Sequence, residues 1–297
     1  MGQFLNKLLN KVIFLSIVLL SGCGGGGSSG SETNPIITPP PPPPPTNTVP
    51  VCTSTTYTNT LYCTSKRLNL DREFYIYIPN GIDTTNSQVP LLFSLHGYTS
   101  RAIWNLGYTG FQTIADTEKF IVIYPQGTLL PSTGETHWNV GGWTVGSTTD
   151  DVDYLSSLID WAYSEYKIDR NRVYSTGMSN GGFMSYHLAC NLSSKIAAVA
   201  SVTGSMTPQT YNNCGPSHPT AILQIHGTMD GVVSYYGNYV STAIPTVMEY
   251  WDEYNDCDQD SVTLIDDVNG DGLGGLFYLY NQCLGDVNVR LYLMTNM

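Results

Sequence analysis

The chain has 297 residues, of which 41% are hydrophobic and only 12% charged, and a formal net charge of -12. That size and composition suit one well-buried α/β domain. The acidic balance excludes binding through nucleic-acid phosphates and points to neutral or aromatic ligands.

Residues 1–22 read as a targeting segment. Lys7 and Lys11 supply positive charge, and Val12 to Leu20 form an apolar run too short to stay in a bilayer as a spanning helix. The segment ends Leu20-Ser21-Gly22-Cys23, which resembles a bacterial lipobox. That resemblance implies cleavage before Cys23 and lipidation of its thiol and amine; ordinary secretion is the alternative. Gly24 stands where an Asp would signal inner-membrane retention, so the outer membrane is the expected destination. Residues 23–50 form a linker, Gly/Ser-rich and then carrying seven prolines, Pro39 to Pro45. The prolines make a stiff spacer of roughly 20 Å at about 3.1 Å per residue.

Residues 51–297 are the expected folded domain. Glu73 to Pro79 alternates as a strand, and Val89 to Leu95 and Phe120 to Tyr124 are continuous apolar runs, as in strands covered on both faces. Asp151 to Tyr166 is a helix, with apolar residues at helical spacing behind Asp150 and Asp151. Further strands are expected at Arg172–Ser175, Ala197–Ser201, Ala221–Ile225 and Val289–Leu293, with a helix over Thr242–Tyr254. Strands alternating with helices imply a mostly parallel sheet with helices on both faces. Once Cys23 is set aside, six cysteines remain; they allow 15 pairings, and proximity favours Cys52–Cys63, Cys190–Cys214 and Cys257–Cys283.

The stretch Gly177-Met178-Ser179-Asn180-Gly181 is a G-x-S-x-G pentapeptide between a predicted strand and a predicted helix. That context marks a nucleophile elbow with Ser179 at the helix N-terminus, where partial positive charge favours a developing oxyanion. Leu95-His96-Gly97-Tyr98 ends another strand, so the Tyr98 and Asn180 N–H groups are the candidate oxyanion hole. Asp230, just past the strand Ala221–Ile225, is the candidate acid that orients a base. His96 precedes the serine and reads as structural.

Together, LHGY, YPQG (124–127), WNVGGW (138–143), DDVDYL (150–155), IDRNRVYSTGMSNGGFMSYHLAC (168–190), AAVASVTGSM (197–206) and IHGTMDGVVSY (225–235) resemble the polyhydroxybutyrate depolymerase and feruloyl esterase branch of the α/β-hydrolases. The resemblance implies Ser179 as nucleophile, Asp230 as triad acid, and Trp143 and Tyr98 lining the cleft. Cys190, Cys214, Cys257 and Cys283 match cysteine positions usual in that branch. It also implies a general base in a Gly-His segment, followed by Trp-Pro, just past a strand like Val289–Leu293. This chain reads Leu293-Met294-Thr295-Asn296-Met297 there, and no histidine follows His226. His137, His187 and His218 all precede Asp230. The chain is therefore expected to stop short of the base and to be impaired by itself.

Two functions follow. One is a lipid-anchored serine esterase or depolymerase working through an acyl-enzyme, monomeric and without a required cofactor. Its substrate would be hydroxyalkanoate polyester, feruloylated or acetylated xylan, or a small aryl ester. The other is a surface module that binds polymer without turnover. Asp267, Asn269 and Asp271 begin a D-x-N-x-D-G calcium-type loop, although Tyr278 stands where an EF-hand needs Glu. A calcium site and a plain polar hairpin between Val262–Ile265 and Leu276–Tyr280 are both open there.

Overall fold

The computed structural model describes residues 44–86, 89–268 and 270–297. The expected signal segment, Cys23, most of the linker and Asn269 lie outside the described residues. An edge hairpin opens the domain: β1 (Val51–Ser54) and β2 (Thr60–Arg67), followed by β3 (Leu70–Tyr77). Then come β4 (Val89–Leu95), the short helices α1 (Ala102–Tyr108) and α2 (Phe111–Glu118), β5 (Ile121–Pro125) and a two-stranded hairpin of β6 (Thr128–Leu129) and β7 (Thr136–His137). The second half runs through α3 (Asp151–Tyr166), β8 (Ile168–Met178), α4 (Asn180–Asn191), β9 (Ala198–Val202), α5 (Pro208–Asn212), β10 (Ala221–Gly227) and α6 (Ile244–Asn255). It closes on β11 (Gln259–Ile265), β12 (Gly275–Asn281) and β13 (Val289–Met294).

Eleven of these strands form one sheet in the order β1-β2-β3-β5-β4-β8-β9-β10-β13-β12-β11. Its centre, β5 to β13, is parallel, while β1 to β3 and β12 to β11 are antiparallel flanks. The parallel centre matches the expected sheet; both flanks are built from hairpins. Alternation decides the faces. Leu91, Phe93, Val173, Val199, Ile222 and Leu291 point into the main core with residues of α3, α4 and α6. Tyr77, Val122 and Tyr124 point the other way and pack against Ala102, Leu106 and Ala115 of α1 and α2.

Helix α3 begins where expected because the Asp150 carboxylate accepts from the Asp153 N–H at 2.8 Å. It buries Tyr154, Leu155, Leu158, Ile159 and Ala162 along one stripe. The three cysteine pairs are Cys52–Cys63, Cys190–Cys214 and Cys257–Cys283. The end of the linker is more engaged than its composition suggests, since the Thr48 N–H donates to the Lys66 carbonyl at 2.9 Å. Every parallel strand of the centre points its C-terminal end to one edge of the sheet, where the loops that follow β4, β8 and β10 meet.

Candidate active site

Ser179 joins β8 to α4 with φ 53° and ψ -120°. A non-glycine residue held there costs on the order of 1–3 kcal/mol and persists only when its surroundings impose it. Two glycines impose it. A Cβ on Gly177 would lie 2.4 Å from the Gly181 carbonyl carbon, and one on Gly181 would lie 2.2 Å from the Leu95 carbonyl oxygen. The same close approach presses the end of β4 against the start of α4. Gly97 then lies beside the serine: a Cβ there would be 3.7 Å from Ser179 Cβ. Asn180 is the first residue of α4, so its N–H has no intrahelical acceptor and is available to an oxyanion.

The loops around this turn are held by buried polar contacts. The Asn180 side chain, fully buried, accepts from the Trp138 N–H at 2.7 Å and donates to the Trp138 carbonyl at 3.1 Å. The Trp138 indole donates to the His96 carbonyl at 2.9 Å. The His96 ring accepts from the Gly127 N–H through Nε2 at 2.9 Å, so Nδ1 carries the proton and donates to the Gly97 carbonyl at 2.7 Å. Burial pushes the His96 pKa down to about 4 from 6.5, which keeps the ring neutral. His96 is thus a clamp on the turn that presents Tyr98, the structural role read from its place before the serine.

Because the folded pKa lies below the unfolded one, the contribution of His96 is complete above pH 6.5 and is lost as pH falls toward about 4. About 3 kcal/mol of stability should disappear over that interval, from the size of the shift. Denaturant melts of the wild type and of His96→Gln at pH 7, 5.5 and 4 measure it, the difference in slope separating it from His187 and His226, which burial also pushes down. Equal slopes would mean that the ring takes up a proton in the fold as readily as in the unfolded chain.

Ser179, Tyr98, Trp143 and Phe183 line one cavity of about 380 Å³, together with Val232 and Val233. The Trp143 ring stands edge-on to Tyr98 at 5.6 Å and to Phe183 at 6.2 Å. The wall residues Phe183, Val232 and Val233 were not legible in advance. Phe183 follows the Gly182 of the elbow, and that adjacency was the available signal. A larger groove of about 770 Å³ lies across the β6–β7 hairpin, lined by Arg72, Arg101 and Thr128 among others; it does not include Ser179.

Asp230 sits in the loop that leaves β10 and is not among the residues lining the cavity. One carboxylate oxygen accepts from the Val232 N–H at 2.9 Å and the Val233 N–H at 2.8 Å. The other lies 3.8 Å from His226 Nε2, whose closer partner is the Val233 carbonyl at 2.7 Å. None of the five histidines lines the serine cavity. His137 Nδ1 pairs with the Thr128 carbonyl, His187 with Thr210, and His218 with the Ser193 and Pro219 carbonyls.

Asp267 and Asp271 of the candidate calcium set stand apart, on the β11–β12 hairpin. The Asp267 carboxylate accepts from the Asp271 and Gly272 N–H groups, and Asp271 accepts from the Leu273 N–H. Among the described residues no group of three metal-ligating side chains is assembled.

The model of the phospholipase/carboxylesterase family matches residues 84–261, more than half of the chain. A bifunctional acetylxylan esterase/xylanase of Neocallimastix patriciarum is 36% identical over 164 residues, 55% of this chain and 22% of that protein. Feruloyl esterase B of Piromyces equi is 32% identical over 171 residues, covering 56% of this chain and 30% of its own length. The chain thus spans less than a third of each of these two relatives. An acetyl xylan esterase structure from Aspergillus awamori superposes with a TM-score of 0.56 over 76% of this chain and 88% of that one, at 17% identity, which shows a common fold. With the elbow between β8 and α4 at the C-terminal edge of a parallel sheet, this chain belongs to the phospholipase/carboxylesterase family of α/β-hydrolases.

Proposed function

We propose that the protein is a serine carboxylesterase acting on acetyl or feruloyl esters of xylan. The observation that carries this reading is Ser179 on its strained turn, facing an aromatic-walled cavity. Ser179 Oγ attacks the ester carbonyl and gives up its proton, the Tyr98 and Asn180 N–H groups take the oxyanion, and the C–O bond breaks so that the alcohol leaves carrying a proton as the acyl-enzyme forms. Water then releases the acid. The substrate class comes from the relatives, named for acetylxylan and feruloyl esters; hydroxyalkanoate polyester and small aryl esters are the other substrates to assay. All six cysteines of residues 51–297 are paired, which supports an exported protein in an oxidising compartment. Anchoring at the cell surface through Cys23 is part of the proposal.

A second reading, polymer binding without turnover, is favoured by one observation: no histidine reaches the serine cavity. Acetate release from acetylated xylan and ferulate release from feruloylated arabinoxylan, by the wild type and by Ser179→Ala, separate the two. Release by the wild type alone, slow without an added base, is the expected result. Equal release from both proteins overturns Ser179 as nucleophile, and none from either leaves the binding module.

Calcium at Asp267, Asn269 and Asp271 is a separate proposal. Metal bound only to the folded state raises the melting temperature by mass action. Identical melting curves in saturating calcium and in chelator would remove it.

A further inference from the structure

We infer that Tyr236 and Tyr239 form a platform on which the sugar rings of a neutral polysaccharide stack as its ester enters the serine cavity. This inference rests on the esterase reading of Ser179 and concerns the polymer beyond the scissile bond.

The segment from Gly227 to Ala243 leaves β10 and returns to α6. It lines the serine cavity near both of its ends, through Val232 and Val233 and through Val240 and Ser241. Between those ends it turns large side chains to solvent: Tyr236 is 77% exposed and Tyr239 93%. A flexible loop with that content would hold no surface in place, but this loop is tied down. The Asn238 side-chain oxygen accepts from the Val240 N–H at 2.9 Å and the Ser241 N–H at 3.0 Å, and the Gly237 N–H donates to the Ser234 carbonyl at 2.9 Å. Gly237 has φ +75°, and a Cβ there would lie 2.6 Å from the Ala243 nitrogen. The far end is fixed by the Thr242 N–H on the Met206 carbonyl at 2.9 Å, and by the Ile244 N–H on the Tyr235 carbonyl at 2.9 Å. Tyr235, half-buried, braces the Tyr236 ring edge-on at 5.2 Å.

A loop whose backbone is already fixed binds with little ordering cost, and each tyrosine has only two side-chain torsions to lose. The chemistry of the loop selects the occupant. From Gly227 to Ala243 the only charged residue is Asp230, and the rest supplies aromatic faces, hydroxyls and an amide. No cation is present to hold a phosphate or carboxylate, and the chain as a whole carries -12. A phosphate headgroup or a polyanion finds no partner here. A pyranose offers an apolar C–H face to each ring and hydroxyls to the polar groups beside it, so the fit is to an uncharged sugar polymer.

Affinity electrophoresis of the full chain in gels containing arabinoxylan tests this. The wild type and Ser179→Ala should be retarded equally, since the platform acts apart from the nucleophile. Tyr239→Ala and Tyr236→Ala should each weaken retardation by about two- to tenfold, the range expected for one aromatic contact. Tyr239→Phe should retain most of it, since the ring face does the binding. Hydrolysis of methyl ferulate, which has no polymer, should be unchanged in both Ala variants. Wild-type retardation that survives both Ala substitutions, or no wild-type retardation at all, overturns the platform. So does a loss confined to vesicles of phosphatidylethanolamine and phosphatidylglycerol, which would identify a membrane as the occupant. Failure of the esterase reading would register separately, as acyl release independent of Ser179.

Discussion

Methyl ferulate hydrolysis by the 297-residue chain is expected to rise with imidazole concentration, and the imidazole-dependent part to vanish in Ser179→Ala. A serine hydroxyl is almost entirely protonated at neutral pH and attacks poorly without a base. The oxyanion hole and substrate binding alone supply roughly 10³–10⁴ over water. All five histidines of the chain have other partners, and none lines the cavity. Free imidazole can take the Ser179 proton as the Oγ–carbonyl bond forms, and return one to the departing alcohol. A bound base would be worth an effective concentration of about 10⁵ M or more. Imidazole at 0.1 M therefore recovers only part of the rate, and we expect an increase of about ten- to a hundredfold, larger above pH 7 where the free base dominates. An unactivated ester is the right substrate because imidazole attacks activated aryl esters directly. Turnover near 10 s⁻¹ (about the median for enzymes) without imidazole would overturn this expectation. His226, beside Asp230, and His137, whose Nε2 is buried without a partner among the described residues, would then be the bases to replace.

Arg72→Ala should destabilise the fold by about 3–5 kcal/mol, the usual consequence of stranding a buried charge. The Arg72 and Asp151 side chains are 2% and 0% exposed, and they meet at 2.7 Å. The Arg72 guanidinium also lies 3.7 Å over the Tyr154 ring. Without it, the buried Asp151 carboxylate keeps the Asn139 N–H at 2.8 Å and loses its counter-charge. Arg72→Met with Asp151→Asn should recover much of the loss, because the amide can still accept from Asn139 without a buried charge. Equilibrium urea unfolding of the three proteins is the measurement. A single-variant loss below 1 kcal/mol would show that water reaches Asp151. The function at stake is the segment bearing Asn139 and Trp138, which Asp151 ties to α3 and Asn180 ties to the elbow.

The elbow was legible because steric exclusion writes itself into local sequence: Gly177 and Gly181 flank Ser179, and each has backbone where a Cβ would stand. Helix α3 was legible because its buried stripe recurs at the helical period behind a capping Asp150. The flanking strands β1 and β2 were not, since both Val51–Ser54 and Thr60–Arg67 are rich in polar residues, and β1 is also mostly exposed. Helices α1 and α2 were missed for a related reason: both are short and neither has a side-chain cap. Helix α5 and the β6–β7 hairpin also passed unread. The Arg72–Asp151 pair joins residues 79 apart in the chain, and no local pattern encodes such a contact. The elements that position the serine were thus readable, and the contacts that hold its loops were not.

The Cys52–Cys63 bridge also determines how the domain bears tension. It joins residues directly opposed across β1 and β2, and Cys63 is fully buried in the core. A pull on the backbone ahead of residue 44 reaches Cys52 at the second residue of β1. Part of it crosses the bridge at once to Cys63, bypassing residues 53 to 62. Without that bridge the edge strand would peel away one hydrogen-bonded pair at a time, the weakest way to load a sheet. With it, the load enters at β2, a strand paired on both sides, and the covalent link stops the unzipping at the second pair of β1. Reduction would therefore lower the rupture force for an N-terminal pull well before it altered the geometry around Ser179.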